Sequence, residues 1–360
     1  MPPRALIVAG GTGGHIFPAL AVAEALRERG FEPHWLGSIG GMEATLIPRH
    51  QIPFTGIRVS GIRGKGLGRI LLSPINILRA TVASIRAILR IRPVVVLGMG
   101  GFVSGPCGLA AFLCRRPLII HEQNSIPGIT NRLLSLIATR TLVAYPGSFA
   151  PSPRVLVTGN PLRGEIARLV NVARAVRPGN PLRVLVLGGS LGARSLNQTV
   201  PGALRLLAQH HALEVLHQSG ARDVEQTLGL YRDTTLAARV LPFIEDMASA
   251  YEWADLVICR AGALTLAEIC AAALPAVLIP YPHAVDDHQT RNAQHLAERG
   301  AAMVLADATL DAPRLVECLQ PLLADPALRE AMAAAARRLA RPDATEAVVN
   351  CCQEHAHVAA

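Results

Sequence analysis

The chain has 360 residues, 51% of them apolar and 17% charged, which suits a globular chain with two cores and excludes a disordered one. Aromatic residues are only 4%, leaving little for stacked-base recognition of single-stranded nucleic acid, so no nucleic-acid partner is expected. Basic residues exceed acidic ones by 35 to 26, a net charge of +9, and nearly all are arginine, with Lys65 the single lysine. The seven cysteines (107, 114, 259, 270, 318, 351 and 352) form no CxxC pair, so reduced thiols of a cytosolic protein are expected rather than a zinc ribbon or a redox motif.

Arg4–Ala9 is a short apolar run of the buried-strand type, and Met1-Pro-Pro-Arg leads straight into it, so no signal peptide is expected. Gly10, Gly11, Thr12, Gly13, Gly14 and His15 follow, and then a helix over 16–29 with Pro18 in its first turn. A strand that delivers a glycine-rich turn to a helix N-terminus suits an anion, because the backbone can come close and the free N–H groups point at it. The plain alternative is a tight turn without a ligand. Four glycines in five residues, ending in a histidine, favour the anion site.

A strand near 31–37 and a helix from about 41 come next. Residues 55–72 are glycine-rich and basic, hence a loop. The period of Ile75, Leu78, Val82, Ile85 and Leu89 predicts a helix over 75–91. Then follow strand 94–97, a second glycine loop over 98–106, and strand 118–121 running into Glu122, Gln123 and Asn124. Helix 128–137 and strands 141–144 and 155–157 complete the half, and 160–181 reads as helix and linker. The uncharged stretch 93–114 is long enough to suggest a membrane span, but two prolines and five glycines break it into strand, loop and helix. Between Glu43 and Glu122 there is no carboxylate, against eleven basic residues, so this half should carry a positive field.

The device repeats in the second half. Strand 182–187 leads through Gly188, Gly189, Ser190, Leu191 and Gly192 into a helix over 194–209. Strands follow at 213–217, 238–241, 255–259, 276–279 and 302–304. Helices at 222–230, 246–253, 263–273 and 287–299 alternate with them, and two more close the half at 313–323 and 327–340. Short strands alternating with helices mark parallel α/β domains, here two doubly wound domains facing each other across a cleft. The tail after about His355 is expected to fray.

Neither glycine turn fits G-x-G-x-x-G, since position 16 is Ile16, and Lys65 is not in a P-loop, so nicotinamide and P-loop chemistry are disfavoured. Thr265 and Glu268 either cap the helix at 263 as a capping box or serve a ligand, with the carboxylate taking two ribose hydroxyls. Asp286-Asp287-His288-Gln289 has the composition of a metal cluster, but neighbouring side chains at a helix start diverge. An aspartate N-cap is expected, with Gln289 able to bond a ligand hydroxyl.

Seven ordered motifs, GGTGGH (10–15), GGFVSGP (100–106), HEQN (121–124), GNPLR (159–163), GGSLGAR (188–194), AGALTLAE (261–268) and DDHQ (286–289), closely resemble the MurG family of bacterial glycosyltransferases. The resemblance spans residues 4 to about 300. It implies a two-domain GT-B fold and transfer of N-acetylglucosamine from UDP-GlcNAc to undecaprenyl-diphosphoryl-N-acetylmuramoyl-pentapeptide, with no cofactor and no metal. Residues 1–160 would take the acceptor and the membrane and 161–340 would take UDP-GlcNAc, while 341–360 would pack back on the first domain. Donor contacts would fall to Thr12, Gly13, Gly14, Asn124, Arg163, Ser190, Ile244, Ala263, Leu264, Thr265, Leu266, Ala267, Glu268 and Gln289, with Glu268 on the ribose and Ser190 on the diphosphate. Acceptor contacts would fall to Gly100, Gly101, Ser104 and Gly105. Leu191 stands where the family usually has Gln, and Phe102 where tyrosine is commoner.

His15 is the candidate general base of a single inverting displacement, because imidazole titrates near working pH; the alternative is a histidine that bonds a phosphate or only the backbone. Arg163 and helix N-termini would stabilise the departing diphosphate. Two alternatives share these features: a GT-B enzyme acting on a diacylglycerol, and a non-catalytic nucleotide- or membrane-binding protein. The expected location is peripheral, on the cytoplasmic face of the bacterial inner membrane. The expected membrane surface is 62–92, with Lys65, Arg69, Leu71, Leu72, Ile75 and Arg79 at its centre. For its helix the alternative is an apolar stripe turned into the core.

Overall fold

A computed structural model describes residues 2–59, 73–172, 181–189, 192–232 and 236–357, and among these described residues thirteen parallel strands form two sheets. Contacts divide the chain into two units. Residues 1–163 and 343–360 form the first, and 164–342 the second.

In the first unit, strands β1 (Arg4–Val8), β2 (Glu32–Ser38), β3 (Phe54–Ile57), β4 (Val95–Gly98), β5 (Leu118–Glu122), β6 (Arg140–Val143) and β7 (Val155–Val157) lie in the order β3-β2-β1-β4-β5-β6-β7. The order reverses between β1 and β4, and open α/β sheets hold ligands at that switch point, beyond the carboxyl ends of the strands. One face of the sheet is covered by helix Gly13–Glu28 and by the C-terminal helix Ala344–His357. Val348, Val349, Cys351, Cys352 and Ala356 enter the same core as Ile7, Ile16, Val22 and Trp35. The opposite face is covered by helices Ser73–Ile91, Ser104–Leu113 and Ile129–Leu134.

In the second unit, β8 (Leu182–Leu187), β9 (Leu213–Gln218), β10 (Ala237–Leu241), β11 (Leu256–Cys259), β12 (Ala276–Leu278) and β13 (Met303–Val304) take the order β10-β9-β8-β11-β12-β13. Its switch point lies between β8 and β11, where the second glycine turn begins.

Four local expectations change. The loop expected from residue 55 opens with β3, an edge strand paired in parallel with β2 from Trp35↔Phe54 to Ser38↔Ile57; its Gly56 reads as a breaker, yet lies opposite Gly37 in the ladder. The glycine loop expected over 98–106 stops early, because a helix begins at Ser104 with Pro106 in its first turn, where no N–H is missed. The helix over 73–91 does form, but Ile75, Leu78, Val82 and Leu89 point to solvent and the buried face is Ala80, Thr81, Ser84, Ala87, Ile88 and Ile91. The alternative of an apolar stripe turned into the core is thereby excluded for those four residues. Finally, the C-terminal helix continues past His355 to His357, and the rest of the tail, 358–360, lies outside the described residues. Lys65, Arg69, Leu71, Leu72, Ser190 and Leu191 lie outside the described residues.

Candidate active site

Three motifs follow the adjacent strands β1, β4 and β5, so the sheet brings them together. Thr12 is the N-cap of helix Gly13–Glu28, and its carbonyl accepts the backbone N–H groups of His15 and Ile16. Gly13 is buried, while Thr12 and Gly14 are exposed. His15 is half-buried, and its Nδ1 lies 3.3 Å from Oε1 of Gln123 at the end of β5.

The turn after β4 is fitted against the turn after β1. Gly101 has φ +85°, and a Cβ there would sit on the backbone of Gly10. Gly100 is buried under the His15 ring, whereas Gly105 is half-buried in the first turn of its helix. The Ser104 hydroxyl is buried and committed to this turn: it donates to the Gly100 carbonyl (2.8 Å) and accepts from the Gly100 N–H (3.1 Å). What Ser104 supplies is the shape of the loop.

A buried carboxylate supports each side of this cluster. Glu43 accepts from the Ser38 N–H (2.8 Å), the Ser38 hydroxyl (2.6 Å) and the Gly11 N–H (3.4 Å). One N–H of the first glycine turn is therefore engaged by the protein itself. Glu122 accepts from the backbone and side chain of Asn124 (3.0 and 3.3 Å), the Gly128 N–H (3.1 Å) and Nδ2 of Asn131 (2.9 Å), which fixes the Asn124 side chain.

His121 donates from Nε2 to the Gly159 carbonyl at 2.9 Å, and burial pushes its pKa down to about 4, so it is neutral. Nδ2 of Asn160 holds the Gln123 carbonyl at 3.1 Å. The Arg163 guanidinium lies over the Phe17 ring, 5.7 Å from its centroid, half a turn along the helix from His15. The GNPLR segment thus reaches the HEQN strand and the His15 helix within the first unit, and Arg163 belongs to that unit rather than to the second.

In the second unit, Gln218 at the end of β9 donates from Nε2 to the Gly189 carbonyl (3.0 Å) and accepts the Ile244 N–H on Oε1 (3.0 Å). It ties the glycine turn to the segment carrying Ile244, which is buried. Behind them, Asn197 donates to the Ser219 carbonyl (2.9 Å) and to Asp223 (3.0 Å), and its oxygen lies 3.1 Å from Nε2 of His217. Burial lowers the His217 pKa to about 3.

Helix Ala263–Ala271 follows β11 with Gly262 as N-cap, so Thr265 sits in its first turn and does not form the N-cap of a capping box. Ala263, Leu266 and Glu268 are buried; Leu264, Thr265 and Ala267 are partly exposed. Oε2 of Glu268 accepts from the Tyr251 hydroxyl at 2.8 Å. Arg260 bridges Asp307 (2.6 Å) and the Ser195 hydroxyl (2.8 Å), pinning the end of β11 to the helix that follows the glycine turn. Oε1 of Gln289 accepts the Tyr281 N–H at 2.9 Å; Asp287 stands at the N-cap position, but its carboxylate accepts from the Thr290 hydroxyl (2.6 Å) and makes no cap bond to a backbone N–H, unlike the expected aspartate cap.

Residues 5–143 match the glycosyltransferase family 28 N-terminal domain, and residues 183–348 match its C-terminal domain. A relative from Marinobacter nauticus, named UDP-N-acetylglucosamine–N-acetylmuramyl-(pentapeptide) pyrophosphoryl-undecaprenol N-acetylglucosamine transferase, is 52% identical over 98% of both chains. A relative from Azotobacter vinelandii with the same name is 49% identical over 98% of this chain and 99% of its own. A crystal structure of Acinetobacter baumannii MurG matches with TM-score 0.82 at 42% identity, over 98% of this chain and 100% of that one. The chain belongs to the MurG family of glycosyltransferases.

It therefore has the GT-B fold, two parallel-sheet α/β domains. A UDP-GlcNAc 2-epimerase from Neisseria meningitidis shares that fold at 13% identity with TM-score 0.68. Glu43, Gln123, Gln218 and Tyr251 hydrogen-bond to the motif segments, and Arg260 to Ser195 directly after one, contacts that their places in the sequence do not announce. Glu43 carried one legible signal. It follows Gly40 and Gly41 and opens a long stretch without carboxylates, and such an isolated acid close to a glycine turn has a local task.

Proposed function

We propose that this chain transfers N-acetylglucosamine from UDP-GlcNAc to the 4-hydroxyl of undecaprenyl-diphosphoryl-N-acetylmuramoyl-pentapeptide, the reaction that turns lipid I into lipid II. The observation that carries this reading is identity near 50% over almost the whole chain to relatives named for that transfer. The residue clusters support it chemically. In the second unit, Glu268, held by Tyr251, accepts from the ribose hydroxyls. Ile244, the first turn of helix Ala263–Ala271 and Gln289 line the nucleotide, and Ser190 and the glycine turn take the diphosphate. In the first unit, Thr12, Gly13, Gly14, Asn124 and Arg163 complete the donor contacts. The loop of Gly100, Gly101 and Gly105, shaped by Ser104, receives the acceptor.

The displacement inverts the anomeric centre. The acceptor oxygen forms its bond to C1 as the bond from C1 to the diphosphate oxygen breaks. UDP leaves with that electron pair, and the hydroxyl proton passes to His15. Arg163 and the helix N-terminus offset the negative charge that develops on the leaving diphosphate.

A lipid acceptor requires a membrane surface, and none of the described helices is long and apolar enough to cross a membrane. Helix Ser73–Ile91 packs on helix Ser104–Leu113, which packs on helix Ile129–Leu134. Their outer faces expose Ile75, Leu78, Val82, Leu109, Phe112 and Leu133, with Arg79, Arg86 and Arg90 on the first helix. Apolar side chains entering the interface beside arginines that meet anionic headgroups would hold the enzyme on the cytoplasmic face of the inner membrane.

The decisive assay is transfer of radiolabel from UDP-GlcNAc to the lipid-linked muramoyl pentapeptide, run beside a diacylglycerol acceptor. Label on the muramoyl lipid alone supports the proposal. Label on the diacylglycerol alone, or no UDP release with either acceptor, overturns it.

A further inference from the structure

Gln123 is buried at the end of β5, and its side-chain amide is held at both ends. Its Nε2 lies 2.7 Å from the carbonyl oxygen of Met99 in the turn after β4, and a carbonyl can only accept. The amide nitrogen therefore faces Met99, and the amide oxygen faces His15. That oxygen, 3.3 Å from Nδ1, can also only accept, so in the neutral ring the hydrogen is on Nδ1. The ring sits close against Gly100, where a Cβ would lie 2.5 Å from Nδ1 and 2.7 Å from Cε1. The strand itself is held by Asn160, whose Nδ2 donates to the Gln123 carbonyl at 3.1 Å.

We infer that Gln123 is a positioning residue for the transfer: it selects the Nδ1–H tautomer of His15 and so makes Nε2 the basic nitrogen. Which ring nitrogen is protonated follows from the hydrogen bond that the other one makes. A neutral amide fixes the tautomer without the charge of a carboxylate, which would draw a second proton onto the ring. Gly100 supplies the space in which the ring lies, since a Cβ there would meet Nδ1 and Cε1. The inference rests on His15 being the general base, and the two can be tested apart.

The protein labelled with 15N-histidine, observed by NMR with UDP bound, should show the neutral His15 ring in the Nδ1–H form. A wild-type His15 in the Nε2–H form overturns the inference without any variant. Gln123→Met removes both ends of the amide at similar length. It should return His15 mainly to the Nε2–H form and lower kcat by about 10- to 100-fold, part of what a general base supplies, with the donor KM within about twofold of wild type. Gln123→Glu, whose carboxylate accepts from Nδ1–H and draws a second proton onto the ring, should instead move the acid limb of the kcat–pH profile upward. A folded Gln123→Met protein that keeps the Nδ1–H tautomer or full kcat overturns the inference. If instead His15→Ala retains kcat, the base assignment fails while the tautomer measurement still stands.

Discussion

The phenol of Tyr251, fully buried on helix Met247–Trp253, donates to Oε2 of Glu268, itself only 7% exposed on helix Ala263–Ala271, at 2.8 Å. The carboxylate proposed for the ribose is thus oriented by a buried hydroxyl. Glu268→Ala should raise the donor KM by about 10- to 100-fold, the loss of a charged hydrogen bond being worth roughly 1.5–3 kcal/mol. Tyr251→Phe should raise it by a smaller factor, about fivefold, with kcat unchanged. Steady-state kinetics at saturating acceptor check both, and a folded Glu268→Ala enzyme with wild-type donor KM removes Glu268 from the site.

His15→Ala should lower kcat by about 10²–10⁴ if the imidazole takes the acceptor proton. Single-turnover rates separate this from binding. A preserved rate with a raised acceptor KM would make His15 a substrate contact and place the base elsewhere.

Arg163→Ala should leave the fold intact, since it removes a half-buried guanidinium that lies over the face of Phe17 and no apolar core residue. UDP should then raise the melting temperature of the variant less than that of the wild type, because ligand stabilisation scales with affinity. Equal shifts would assign Arg163 to the surface of the first unit alone.

Membrane binding should depend on anionic lipid and weaken as salt rises, each basic residue near the surface being worth about 1 kcal/mol. Replacing Leu78 and Phe112 by Ser should reduce co-sedimentation with anionic vesicles, because both side chains are exposed and their loss opens no cavity. Replacing Leu71 and Leu72 by Ser with Arg69 by Glu should do the same. Equal binding to neutral and anionic vesicles, or unchanged binding by both variants, would sink the assignment.

His121 and His217 are held neutral by burial, with pKa values near 4 and 3. Their folded values lie below the unfolded value of about 6.5, so the unfolded chain binds more protons as pH falls. The stability they confer is complete above about pH 6.5 and is lost progressively toward pH 4. Urea unfolding at pH 7.5 and 5.0 should show that loss. Titration of either ring near pH 6.5 by NMR would contradict it.

The sequence by itself determined what depends on near neighbours. A buried apolar run, a glycine turn and a helix start lie within about fifteen residues, so β1 with its GGTGGH turn and β8 with its GGSLGAR turn are legible without a fold. The seven family motifs are legible for the same reason, each being a continuous segment with its own chemistry. Tertiary structure decided whatever joins distant segments. The sheet order puts the turn after β4 beside the turns after β1 and β5, which lets Gln123 touch His15 from 108 positions away. It also lets Gln218 bridge Gly189 and Ile244, and brings Glu43 under Gly11. The apolar stripe of helix 73–91 has the same period whether it faces core or solvent, so only packing could say that Ala80, Ser84 and Ala87 go inside while Leu78 and Val82 stay out. The return of Val348 and Cys352 to the first core has the same cause: burial is set by which surfaces meet, and a linear pattern specifies a face without specifying its partner.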